Sequence, residues 1–137
     1  MKALTAIILP ILVFYLSFVL TITVLERVPS PEAKYKLELL WSYKAIIAGN
    51  TELLSENFWN VVLFVPLGMM ISGLSLYHRE WLAVLLCMTA SAFIESIQLA
   101  THRGLFEFDD IFHNTLGAVI GVFMCMVMKR HLKRRVE

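Results

Sequence analysis

Charge is scarce in this chain. Of its 137 residues, 17% are Asp, Glu, Lys or Arg, whereas 58% are hydrophobic and the mean hydropathy is +0.71. Soluble domains carry about 25% charged residues, so a chain this poor in polar side chains cannot fold around one core and keep a wetted surface. A soluble globular domain is excluded, and a membrane protein remains. An excess of one sign is also missing: twelve Lys and Arg nearly balance eleven Asp and Glu, for a net charge of +1. The sequence therefore carries no nucleic-acid footprint, and only the placement of its charges can matter. Cysteine is equally sparse. Cys87 and Cys125 both lie in apolar runs without a nearby Cys or paired His, which excludes a zinc finger, a redox CxxC pair and a disulfide framework and predicts buried structural thiols. Neither a phosphate-binding loop nor a three-ligand metal motif is present, and no cofactor or metal is expected.

What the chain does have is long uncharged runs. From Ala3 to Leu25 no charge occurs, and at about 1.5 Å per residue the run exceeds a hydrocarbon layer of roughly 30 Å. It is longer than the h-region of a signal peptide, typically about 7–15 residues, and no Ala-x-Ala-like site follows, so retention as a span is expected. Four spans are predicted, at about 4–25, 57–77, 81–100 and 111–128. The expected fold is an all-α membrane protein: one domain over 1–137, built as a four-transmembrane-helix bundle. Spans two and three are separated only by His78, Arg79 and Glu80, which imposes an antiparallel hairpin.

Orientation follows from the cations near the span ends. One side holds Lys2, Arg79 and the block Lys129, Arg130, Lys133, Arg134 and Arg135; the other holds Arg27, Lys34, Lys36, Lys44 and Arg103. Seven against five, with five in one block after span four, places both termini in the cytoplasm. The basic block reads as a topology anchor touching anionic lipid. Between spans one and two, Pro29 and Pro31 exclude a continuing helix. Leu37, Leu40, Trp41 and Ile47 then recur at about helical spacing. They predict a short helix, either interfacial on the outer membrane surface or capping the bundle mouth.

Polar residues inside spans cost a few kcal/mol unless they face protein or water. Asn57 and Asn60 open span two, Glu95 and Gln98 close span three, and Asp109, Asp110, His113 and Asn114 open span four, so this orientation gathers them into one layer near the outer boundary. Ser91, Glu95 and Gln98 share a face of span three. Asp110, Asn114, Gly117 and Gly121 share a face of span four. Small residues allow close helix approach, so Gly117 and Gly121 should draw span four onto a neighbour, with Glu95 expected near Asp110 and Asn114. Asn60, Phe64 and Gly68 share a face of span two, where Pro66 is expected to bend the helix. Arg103, in the connection between spans three and four, is placed to bridge Glu95 and the Asp109, Asp110 pair. His113 follows Asp110 by three residues, a spacing that can serve a metal, but a lone His at a helix start reads as a local hydrogen-bonding residue. Ser91 is a poor nucleophile because no His is near it in sequence.

The residues Asn57-x-x-Asn60-Val-Val-Leu-Phe-Val-Pro66-Leu-Gly68, Ile94-Glu95-x-x-Gln98, Arg103-Gly104 and Asp109-Asp110-Ile-Phe-His-Asn114-Thr-Leu-Gly117-Ala118-x-x-Gly121 resemble the VanZ-like family of small bacterial membrane proteins. The resemblance covers roughly 57–121. It implies a bacterial plasma-membrane protein and, for the namesake, low-level resistance to lipidated glycopeptides such as teicoplanin. Its polar pattern falls on Asn60, Glu95, Gln98, Arg103, Asp110 and Asn114.

Three readings of the polar layer stand side by side. It can be a network that merely locks the helices. It can bind or shield an amphiphile without turnover: a membrane lipid head group, a cell-wall precursor or a lipoglycopeptide. Alternatively, Glu95 and Asp110 can divide acid and base roles in an intramembrane enzyme acting on a lipid or cell-wall precursor. Proton-coupled transport is weaker, because four spans leave little room for a pore without oligomerisation.

Overall fold

The computed structural model describes residues 2–74 and 79–136, with side chains from residue 5 to residue 134. The expected end of span two at 75–77 and His78 lie outside the described residues, as do the side chains of Lys2 and Arg135. Four helices are long and apolar enough to cross a membrane: Thr5–Leu25, Glu52–Leu74, Glu80–Thr101 and Phe108–Arg134. They belong to α1 (Lys2–Leu20), which widens into a π-helical turn over Thr21–Leu25, and to α3 (Glu52–Leu74), α4 (Glu80–Thr101) and α5 (Phe108–Val136). Cys87 and Cys125 are both free and buried.

The spans begin earlier than the uncharged runs do. α3 starts at Glu52, five residues before the predicted 57, because a polar first turn with Glu52 at the positive end of the helix is stable outside hydrocarbon. α5 likewise starts at Phe108, with Asp109 and Asp110 in its first turn. Its other end continues past Met128 through the basic block, since an amphipathic tail needs no apolar surroundings to stay helical.

Glycine decides which helices approach most closely. A Cβ at Gly117 would overlap the backbone carbonyl of Val61, one at Gly121 that of Val65, and one at Gly68 that of Ala118. The stripe on α5 therefore seats against α3 at backbone distance. In hydrocarbon, where apolar burial provides no drive between helices, such contact is a main source of helix association. On α4 the buried stripe runs Ala83, Cys87, Ser91, Ile94, Glu95 and Gln98. Val19, Val24, Phe64, Leu67, Cys87, Ile94 and Ala118 form the apolar centre where the four spans meet. Outward-facing Phe14, Trp81, Phe93 and Phe123 remain exposed, as a lipid-facing surface requires.

Two short elements complete one end. β1 (Lys34–Lys36) pairs in parallel with β2 (Leu105–Glu107), with Tyr35 opposite Phe106. α2 (Trp41–Ile47) follows. It is shorter than the apolar spacing suggests: Leu37 and Leu40 precede it, and Leu40 takes a left-handed conformation (φ 62°). The residue that α2 buries is Ser42, whereas Ile47 is 86% exposed. α2 thus sits on the bundle mouth through Ser42 and turns Ile47 outward.

Candidate functional site

At the mouth, the polar residues separate into two tiers. The first is sealed. Asp109 is 0% exposed, and its carboxylate accepts the Leu40 N–H, the Ser42 N–H (2.9 Å) and the Ser42 hydroxyl (2.6 Å). Asn57 donates to the same Ser42 oxygen at 3.1 Å. Asp109 thereby ties the start of α2 to the start of α5. Tyr43 adds a second tie, its hydroxyl 2.9 Å from His113 Nε2, so His113 bonds across to α2 rather than locally. Glu95, 1% exposed, accepts the Glu107 N–H at 3.0 Å. Gln98 donates to Thr23 O at 3.1 Å, and Asn114 donates to Ser91 Oγ at 2.8 Å. These bonds join the π-helical turn after α1 to α4, α5 and β2, and buried carboxylates demand such donors. Among the described residues, Gln98 Oε1, His113 Nδ1 and Asn114 Oδ1 are buried in this tier without a hydrogen-bond partner.

The second tier is a cleft of about 360 Å³ lined by Arg27, Ser55, Glu56, Trp59, Asn60, Glu107 and Asp110. Asn60 Nδ2 donates to Asp110 Oδ1 at 2.7 Å, fixing that half-buried carboxylate between α3 and α5. Glu107 Oε2 accepts the Trp41 indole N–H at 2.8 Å, so one carboxylate serves both the cleft and the cap. Burial pushes the Glu107 carboxyl above its ordinary value. The Trp41 N–H and Arg27 oppose that shift, while the charges of Glu56 and Asp109 add to it. Three carboxyl groups thus face one guanidinium beside Trp59, which is 62% exposed toward the surroundings of α3.

One expectation requires correction. Arg103 does not bridge the carboxylates; its guanidinium donates to Leu25 O at 2.9 Å and Arg27 O at 3.1 Å, clamping the end of the first span. The physical reason is that Gly104 (φ 129°) turns the chain after a left-handed His102, which leaves Arg103 beside the carbonyls freed where α1 ends. Its effect on the cleft is indirect, through the backbone of Arg27. The neighbour drawn in by Gly117 and Gly121 is span two, so Asp110 meets Asn60 directly. Glu95 is close enough for its charge to interact with that of Asp110, although their carboxylates serve different partners.

Of the eight polar residues nominated from sequence, Asn60 and Asp110 line the cleft, Asn57, Glu95, Gln98, Asp109 and Asn114 belong to the sealed tier, and Arg103 supports the rim. Ser55 and Glu56 precede the expected start of span two at 57, and Trp59 lies in its apolar run, so neither hydropathy nor polarity marks them as site residues. Glu56 lies one turn before Asn60, and that i, i+4 relation was the available signal. Arg27 and Glu107 carry no such local signal, since the first span's end and the β pair bring them in.

A family model described as VanZ/LLP1 matches residues 5–129. The chain belongs to the VanZ/LLP1 family. The match takes in all four spans, the β pair and α2, well beyond the stretch 57–121 that carries the motifs. No curated protein and no solved structure matches the chain. Among the described residues of this VanZ/LLP1 chain, no three His, Cys, Asp or Glu side chains gather as a set that could hold a metal ion. The cleft instead offers carboxylate acceptors, an amide and a guanidinium, the groups that bind amines, hydroxyls and a single anionic centre.

Proposed function

We propose that this protein is a multi-pass plasma-membrane binding module, with both termini in the cytoplasm and the cleft facing outward. It holds the amine- and hydroxyl-bearing head of an amphiphile without turning it over. The candidate ligands are a lipid head group, a cell-wall precursor and a lipoglycopeptide, and protection against teicoplanin would be the cellular consequence. The observation that carries this reading is the cleft itself: Glu56, Glu107 and Asp110 against Arg27 in about 360 Å³, within the range of roughly 300–1,000 Å³ usual for small-molecule sites. Trp59 beside it provides an amphipathic edge against which an apolar tail leaves the cleft. The catalytic alternative has less support, because Glu95 is 1% exposed and is not among the lining residues that would share a substrate with Asp110.

The test uses the full chain in nanodiscs, with calorimetry and photo-cross-linking against teicoplanin, lipid II and phospholipid. Saturable binding of at least one is expected, weakened about tenfold or more by Asp110→Asn or Glu107→Gln, the loss of one charge-assisted contact. An amine ligand should also bind less tightly as the pH falls through the upper carboxylate range, where Glu107 takes up its proton. Absence of saturable binding, or binding indifferent to both substitutions, would overturn the reading. A lipid or precursor profile altered by expression would instead favour catalysis.

A further inference from the structure

At the end of the bundle away from the mouth, α5 leaves the apolar run at Met128 and continues as a basic helix. A second groove, of about 380 Å³, lies there, lined by Glu80, Met126, Lys129, Arg130 and Lys133. The last four follow one another at i, i+3, i+4 and i+7, so they form a single stripe of α5 turned toward the start of α4. Three cations face one carboxylate, and that carboxylate is already engaged. Glu80 accepts the Ser72 hydroxyl, and Lys129 Nζ lies 3.4 Å from Glu80 while donating to Ser72 O at 2.6 Å. The pairing of Lys129 with the end of α3 fixes the wall of the groove, and Arg130 and Lys133 complete its basic lining. Met126 and the methylene stems of the cations make its floor apolar.

We propose that this groove is a site for the phosphate of an anionic glycerophospholipid, held by Arg130 and Lys133, with the first methylenes of an acyl chain along Met126. The level of the groove favours a lipid over a soluble anion: it begins where the uncharged stretch of α5 ends, the depth at which a phospholipid presents its phosphate above its chains. A guanidinium pairs phosphate oxygens through two parallel N–H bonds, which makes Arg130 the anchor. This goes beyond a topology anchor, because a diffuse basic cushion would treat all tail cations alike. The groove does not. Arg134 lies in a separate, smaller groove with Val127, Arg130 and His131, one residue along the chain from Lys133 but on another side of the helix.

Native mass spectrometry and thermal unfolding of the full chain in detergent test this, with phosphatidylglycerol as the probe, phosphatidylcholine as the neutral comparison and inorganic phosphate as the soluble one. Saturable retention of phosphatidylglycerol over phosphatidylcholine is expected. Arg130→Gln and Lys133→Gln should each weaken it about fivefold, whereas Arg134→Gln should change it less than about twofold. Circular dichroism and size-exclusion profiles identical to wild type show that the variants are folded. Equal weakening by Lys133→Gln and Arg134→Gln would reduce the groove to a cushion of charge and overturn the proposal. So would equal retention of the two lipids, or inorganic phosphate at matched concentration displacing phosphatidylglycerol.

Discussion

The two ends of this bundle handle charge in opposite ways. At the mouth, the carboxylates of Asp109, Glu95 and Asp110 are withdrawn from water and given fixed donors, backbone N–H groups and short side chains, as with Asp109 beneath Leu40 and Ser42. At the other end the charges are cationic, ride on long stems and stand on a helix projecting from the bundle, with Lys129 reaching back to Ser72 and Glu80. Short carboxylates on rigid donors specify geometry and lose much when one partner is removed. Long cations near water specify mainly a potential and lose little.

Between the ends lies a joint that they share, and breaking it should abolish the contrast. Gly121 faces α3 so closely that a side chain would overlap the Val65 carbonyl and crowd the Met69 nitrogen at 2.9 Å. These are backbone atoms, which cannot rotate aside. Gly121→Val should therefore cost about 3 kcal/mol or more, at the upper edge of ordinary overpacking, and loosen both ends together. Chemical denaturation in detergent measures this, with Gly49→Ala, at a position with open space but left-handed backbone (φ 108°), as a smaller local loss. Equal effects of the two would mean that α3 and α5 are not in backbone contact.

The next effect should be confined to the mouth. Asp109→Ala leaves two backbone N–H groups and the Ser42 hydroxyl without their acceptor, at about 1–3 kcal/mol for each group that stays dry. Because α2 is a short helix on the surface, it can swing out and rehydrate them, so a net loss of about 2–3 kcal/mol is expected. Hydrogen exchange should rise at Leu40 and Ser42 and through α2, with amides near Ser72 and Lys129 unchanged. Faster exchange at both ends would show that they are not independent.

The contrast between the ends was only partly legible in the residues. Ser91, Glu95 and Gln98 do form the buried stripe of α4 that their spacing implies, and the uncharged runs mark all four spans. Helix periodicity and hydropathy act over a dozen or more residues, so they survive whatever packs around them. Short-range patterns do not. β1 is Lys-Tyr-Lys, three exposed residues with no strand signature, yet its pairing with β2 sets where Glu107 lies, between the cleft, Glu95 and Trp41. A glycine stripe states that a neighbour comes close without stating which, so the preference of α5 for α3 had to come from three dimensions. Arg103 shows the same limit: its reach covered carboxylates and carbonyls alike, and a left-handed turn decided between them.

The smallest effect sharpens the comparison most, because it tests salt dependence rather than geometry. Lys129 is paired with Ser72 O and Glu80, but its side chain is 36% exposed, so Lys129→Met should cost at most about 1 kcal/mol. Glu80 keeps the Ser72 hydroxyl, which limits the loss further. Raising ionic strength from about 0.05 M to about 0.5 M shortens the screening length from roughly 14 Å to roughly 4 Å and should shrink the difference between this variant and wild type toward zero. The loss caused by Asp109→Ala should not move with salt, since Asp109 is 0% exposed and its partners are uncharged. If instead the Lys129→Met difference persists undiminished at high salt, the basic end is held by geometry as the mouth is, and the distinction drawn between the two ends fails.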